Sequence, residues 1–414
     1  MGIQKHSIVL IPAKARMTEV SIFVNLNILH NNIQKFISDN ITTDISKILF
    51  KGTSFPNIST QEIVSQIEAK KRSKSKLPTW FSAASIYYPN KLNIEQTSSE
   101  ITANYKSELL RGNSIIDLTG GFGVDCYYFS KRFKNITHCE INQELSEIVR
   151  YNYQQLKTTN IKTVATDGIS YLQNSSVKYD WIYIDPSRRN DVKGKVFLLA
   201  DCLPNVPVNL STLFMYSNNI LIKVSPILDI TSAISELQFV KEIHVVAVNN
   251  EVKELLFILK KGFDEAVKIK TINIQKSINH LFDFNFGASE VIDFSLPKKY
   301  LFEPNAAILK SGGFTQVANQ LNIYKLHQHS HLYTSDKLID FPGRKFEIKH
   351  HISFDKKQLK KLVPSKKANI TTRNFPQTVA QIRKKTGIKD GGNQYLFFTT
   401  DINNKHIVLI CEKV

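Results

Sequence analysis

Residues 115–125 read IIDLTGGFGVD: an apolar run ending in Asp117, then Thr119, Gly120, Gly121 and Gly123 before a predicted helix. Glycines in such a turn allow backbone angles that other residues resist, and they let a ligand lie against the backbone. The helix start beyond them offers free N–H groups and a partial positive charge. Dinucleotide sites use the same device, but neither register of G-x-G-x-x-G is complete. Counting from Gly121 puts Cys126 at the third glycine position, and counting from Gly120 puts Phe122 at the second. Asp117, just before the loop, can hold the cationic amino end of a methionyl group, which a dinucleotide lacks. Glu140 follows the next apolar run, 23 residues on, and can accept from both ribose hydroxyls. Asp167 and Gly168 follow the third run and can meet the exocyclic amine of adenine. A fourth run, WIYI, leads into Asp185-Pro186-Ser187-Arg188-Arg189. There Asp185 could orient or deprotonate an acceptor, Pro186 would stiffen the loop, and the arginine forks could pair with phosphate. A surface loop with solvated arginines is the competing reading.

The elements needed to position these groups are legible. Apolar runs at 114–118, 135–139, 161–165, 181–184 and 220–224 are separated by segments long enough for crossover helices, which predicts a parallel sheet covered on both faces. Runs at 243–248 and 255–259 are too close for a crossover and should pair antiparallel. Before this sheet, 20–36 and 58–76 read as helices, the second closed by Pro78. After it, 264–273 and 290–296 are expected as strands and 303–321 as a helix with Pro304 in its first turn.

This pattern resembles the class I S-adenosylmethionine (SAM) dependent methyltransferases. DLTGGFGVD is similar to their first motif, Glu140 and Asp167 to the second and third, and DPSRR to the acceptor-side fourth. The chain resembles more particularly a bacterial group with a DPxRR motif and a THUMP-like C-terminal domain. Its matching segments are LPTWF (77–81), EQTSSEITANYK (95–106), FEPNAAILKSGG (302–313), FPGRKFEI (341–348) and ITTRNFP (370–376). The resemblance implies a Rossmann-like SAM-methyltransferase sheet (95–262), a helical N-terminal domain (1–94), and small α+β domains. The latter are ferredoxin-like (263–340) and basic THUMP-like (341–414). It also implies SAM as methyl donor and RNA, tRNA or rRNA, as substrate. Thr97 and Ser98 are expected to meet the methionyl carboxylate, although Thr97–Glu100 also reads as a capping box. Amino-group methyltransferases carry D/N-P-P-Y/F in the fourth motif. Ser187 and Arg188 replace its second proline and aromatic here, so the resemblance does not carry methylation of an exocyclic amine.

Charge agrees with a polyanionic partner. The 414 residues carry a net +18, and 341–414 hold 16 Lys and Arg against 5 Asp and Glu. Arg344, Lys345, Arg373, Arg383, Lys384 and Lys385, interleaved with aromatics, have the composition of an RNA-contacting face. A Lys-rich proteome or a solvated basic surface would give the same numbers. Four scattered cysteines argue against a disulfide framework or zinc ribbon, and Cys202 reads as a buried thiol rather than a nucleophile. No metal site, signal peptide or spanning segment is expected, and the location should be cytoplasmic. A small-molecule methyltransferase, an NAD(P) oxidoreductase and a non-catalytic RNA-binding module that retains SAM remain as alternatives.

Overall fold

The computed structural model describes residues 24–188, 198–288 and 291–414. Two compact units result, one ending at Ser176 and the other spanning Val177–Val414.

The first unit opens with helices α1 (Asn31–Asp39), α2 (Ile45–Lys51), α3 (Thr60–Lys76), α4 (Pro78–Ser82), α5 (Lys91–Gln96) and α6 (Glu100–Leu109). Helix α3 starts at a full capping box, in which Ser59 accepts from the Glu62 N–H and Glu62 accepts from the Ser59 N–H. Pro78 opens α4 as well as ending α3: the first position of a helix needs no N–H, and the proline ring presets φ. The expected Thr97 cap is displaced. Thr97 ends α5, and Ser99 caps α6 by accepting from the Thr102 N–H. The expected helix at 20–36 is a 3-10 turn (Leu26–Leu29) followed by α1, with 20–23 outside the described residues. Strands β1 (Ser114–Asp117), β2 (Asn135–Cys139) and β3 (Ile161–Val164) follow, alternating with α7 (Val124–Phe129), α8 (Gln143–Gln155) and α9 (Gly168–Gln173). They pair in parallel in the order β1-β2-β3. Their carboxyl ends therefore lie at one edge, and Asp117, Glu140 and Asp167 stand at those ends.

The second unit continues with β4 (Trp181–Ile184), the short pair β5 (Ser187–Arg188) and β6 (Cys202–Leu203), α10 (Val206–Tyr216), β7 (Asn219–Val224), α11 (Ile230–Glu236), β8 (Val240–Val248), β9 (Glu251–Lys260), β10 (Lys268–Ile274) and β11 (His280–Asn285). Within this unit the sheet order is β4-β7-β9-β8-β10-β11. Strands β4 and β7 are parallel across helix α10, and β8 and β9 are antiparallel, as their spacing requires. Strands β10 and β11, expected to belong to the ferredoxin-like segment, extend this sheet instead through β8.

A second sheet is built from β12 (Tyr300–Pro304), α12 (Ala306–Ser311), α13 (Phe314–Gln320), β13 (Tyr324–Lys325), β14 (Tyr333–Ser335), β15 (Gly343–Ser353), α14 (Lys356–Leu362), β16 (Asn369–Arg373), α15 (Val379–Thr386), β17 (Gln394–Thr400) and β18 (His406–Lys413). Its order is β13-β14-β12-β15-β18-β17-β16. Two expectations are corrected here. The helix expected over 303–321 is a strand end followed by two helices. Pairing of 300–304 with β14 and β15 overrides the helical spacing, Asn305 caps α12, and Gly312 (φ +76°) ends it. The strand expected over 290–296 is absent among the described residues, where 291–296 form only a bridge at Phe294.

Both faces of this second sheet are buried, with alternating residues serving each. Leu396, Phe398, Val408 and Ile410 pack with Leu359, Val363 and Ile382. Phe397, Leu409 and Cys411 pack on the other face with Leu301, Leu326, Leu332 and Phe346. Phe397 is fully buried, with its ring 4.9 Å from that of Phe346. Phe397→Ala is expected to lower unfolding stability by about 3–5 kcal/mol, read by urea titration.

Candidate active site

The glycine loop is fixed from below. Gly120 N–H donates to the Cys139 carbonyl at 2.7 Å, tying the end of β1 to the end of β2. The His138 ring lies directly under the loop, so a Cβ on Gly120 would sit 2.2 Å from its Nε2. Gly121 (φ +53°) and Gly123 (φ +76°) have left-handed backbone. A Cβ on Gly123 would meet the Tyr153 hydroxyl at 2.2 Å, and that hydroxyl donates to the Gly123 carbonyl at 2.8 Å. Gly168 is required by another close approach, since its Cβ would lie 2.4 Å from the Leu118 carbonyl.

The acids predicted from sequence surround this loop. Asp117 is buried; its Oδ1 accepts from the Thr119 N–H at 2.9 Å, and Cys126 Sγ donates to Oδ2. Glu140 accepts from the Gly121 N–H at 2.9 Å through Oε2 and from the Asn142 N–H at 2.8 Å through Oε1. A carboxylate has about four acceptor positions, so these bonds aim Glu140 while leaving capacity for hydroxyl donors. Asp167 caps α9 through Oδ1, which accepts from the Ser170 N–H at 2.8 Å. Burial and the adjacent Asp117 push the Cys126 thiol well up, so it stays protonated.

Thr97 ends α5, and Ser98 is bonded within the protein. Ser98 is buried, and its hydroxyl donates to Asp125 Oδ2 at 2.8 Å. It also accepts from Lys106 Nζ at 3.0 Å, and that ammonium lies 3.2 Å from Asp125 Oδ1. Lys106 is fully buried. Sequence reasoning missed it; the available signal was a lysine on the inner face of α6, in EQTSSEITANYK. The three groups lock α6 to the first turn of α7, directly after the glycine loop.

In the second unit, Asp185 follows β4 and forms an ion pair with Lys223 of β7. Lys223 is a second residue the sequence reading missed, visible only as the charge that interrupts NILIKV. Pro186 is buried and Ser187 exposed, and the β5–β6 pairing sets Arg188 opposite Cys202. Arg189 lies outside the described residues. In the basic region, Arg344 and Arg373 both bond to Glu303, and Arg383 pairs with Asp390 and the Ala368 and Ile388 carbonyls. Lys345 lies 3.9 Å from Asp340, Lys384 is exposed, and Lys385 lies 4.7 Å above the Phe354 ring. All four cysteines are buried thiols, and no group of three metal-ligating side chains occurs among the described residues. No helix among them is long and apolar enough to cross a membrane.

The chain superposes on the crystal structure of a putative methyltransferase from Porphyromonas gingivalis W83 with a TM-score of 0.85 and 33% identity, covering 95% of this chain and all of the other. The chain belongs to this methyltransferase family. Two family models match the C-terminal part of the methyltransferase, a ferredoxin-like domain over 300–342 and a THUMP domain-like region over 343–413. A shorter similarity, 24% over 119 residues, joins 28% of this chain to an uncharacterized RNA methyltransferase of Mycoplasma mobile. It spans only a third of that relative's length.

Burial holds His138 neutral by lowering its pKa to about 4. The unfolded chain ionises this group near pH 6.5. The stabilisation is therefore full above pH 6.5 and declines as pH falls towards 4. In urea unfolding at pH 7 and pH 4.5, the stability gap between wild type and His138→Leu should narrow by roughly 2–3 kcal/mol at the lower pH.

Proposed function

We propose that this methyltransferase transfers the methyl group of SAM to RNA. The observation that carries the cofactor reading is the edge formed by β1, β2 and β3, where a buried Asp117, a left-handed glycine loop and Glu140 stand together. The loop leaves backbone exposed where a Cβ would otherwise stand. Asp117 suits an ammonium, Glu140 a pair of ribose hydroxyls, and Asp167 with Gly168 an adenine edge. The buried Lys106, held by Ser98 and Asp125, fixes the segment that carries Thr97 and Ser98 against the first turn after the glycine loop.

When bound, SAM supplies a methyl group on a sulfonium, which is already a good leaving group, so the chain's contribution is placement. In the DPSRR loop, Asp185 is paired with Lys223. That pairing fixes the orientation of the carboxylate, so it acts as an oriented acceptor for a proton on the substrate. Pro186 holds the loop, and Arg188 and Arg189 are assigned to the RNA backbone on their chemistry as planar forks. The basic C-terminal region, similar to a THUMP domain, supports RNA over a small-molecule acceptor. The tRNA or rRNA target is a further part of the proposal.

Calorimetric titration with S-adenosylhomocysteine tests it. Wild type should bind at micromolar Kd, about −8 kcal/mol. Asp117→Ala should lose that binding, and unchanged affinity in the variant would refute the site. Asp185→Ala and Lys223→Met should keep the affinity while methyl transfer drops at least 100-fold. Loss of cofactor affinity in those two variants would move the pair into the cofactor pocket.

A further inference from the structure

Three segments singled out separately in the sequence, FEPN, FPGRK and TTRNFP, converge on one buried carboxylate. Glu303 is 3% exposed. Its Oε2 accepts from Arg344 Nε at 2.6 Å and also pairs with Nη2 of the same guanidinium, and its Oε1 lies 2.9 Å from Arg373 Nη2. The β12–β15 pairing that brings them together needs Gly343, whose Cβ would fall 2.1 Å from the Glu303 carbonyl.

One carboxylate thus faces two guanidiniums, and further cationic groups bear on His331, between β13 and β14 of the same sheet. Lys325 is buried, donates to the Gln328 carbonyl, and sits 5.7 Å from the Phe314 ring. His331 stacks on that same ring at 3.6 Å, and its Nδ1 is buried without a partner. Burial first, then the charges of Lys325, Arg373 and His329, lower the His331 pKa to about 4. Every charge acting on that imidazole is cationic. Arg373 Nε is likewise buried and unpartnered, while the arginine side chains keep 39% (Arg344) and 35% (Arg373) of their surface exposed. Clustered cations with one shared counter-charge are costly unless a further anion joins them.

We propose that Arg344 and Arg373, aimed by Glu303, form a binding site for a phosphate group of the RNA. The inference rests on the RNA reading above and names the group recognised. Glu303 occupies one edge of the Arg344 guanidinium and one amino group of Arg373, which orients the two forks while leaving part of each side chain exposed. Planar forks match phosphate oxygens in pairs, and their fixed orientation removes most of the ordering cost of binding.

Arginine-selective modification by phenylglyoxal, mapped by mass spectrometry on the full wild-type chain, tests the site without a folding risk. Unfractionated cellular RNA should slow the reaction of Arg344 and Arg373 several-fold and leave the exposed Arg150 unchanged. If RNA binds in a parallel filter assay but both arginines react at the original rate, the phosphate site is overturned and the RNA reading survives. If RNA does not bind at all, the RNA reading fails. Protection by inorganic phosphate alone would then assign the site to a small phosphorylated ligand. The double variant Arg344→Lys, Arg373→Lys keeps the charge and loses the forks, and it should weaken RNA binding about tenfold. Removing two exposed charges elsewhere, with Lys357→Gln and Lys361→Gln, should weaken it less. Equal affinity of the double arginine variant and wild type would overturn the site.

Discussion

The candidate site depends on how closely the glycine loop approaches the strands beneath it. Gly120 lies against the His138 ring, Gly123 against the Tyr153 hydroxyl, and Gly168 against the Leu118 carbonyl. None of these positions has room for a Cβ. The loop is therefore supported by groups on β2 and α8, and its shape follows from backbone bonds to Cys139 and Glu140. A loop built this way needs no ligand to hold its form, and such preorganisation is what a reaction governed by placement requires.

The same logic recurs away from the loop. Lys106 is buried with Asp125 and Ser98, Asp185 is paired with Lys223, and Glu303 is shared by Arg344 and Arg373. Each is an ion pair at least partly removed from solvent, and such pairs add little net stability because desolvation offsets attraction. Their value is directional: each fixes a carboxylate or a cation at a strand end or beside the glycine loop. Two of them involve a residue the sequence reading missed, because a lysine in an apolar strand or on an inner helix face looks like an ordinary interruption until its partner is known.

Much of the fold was legible. Strands β1 to β4 and the antiparallel β8–β9 pair follow from apolar runs and the lengths between them, since a crossover helix cannot fit in a short connection. The acids at the three strand ends were legible for the same reason. What failed was local pattern where tertiary pairing decides. Residues 303–304 read as a helix start, yet they end a strand whose two neighbours are distant in sequence. Thr97–Glu100 has the letters of a capping box, but the chain turns two residues later. The roles of Arg344 and Arg373 were legible only as charge. Their common bond to Glu303 joins residues 41 and 70 positions apart, which no local pattern reports.

Methyl transfer to RNA can be measured on the protein as it stands. The most direct measurement incubates the full chain with methyl-labelled SAM and total RNA from cells lacking the protein, then follows label into the RNA fraction. Label that enters RNA, survives protease and is released by ribonuclease is the predicted result. Label confined to small molecules, or none transferred by protein that binds S-adenosylhomocysteine, would contradict the account.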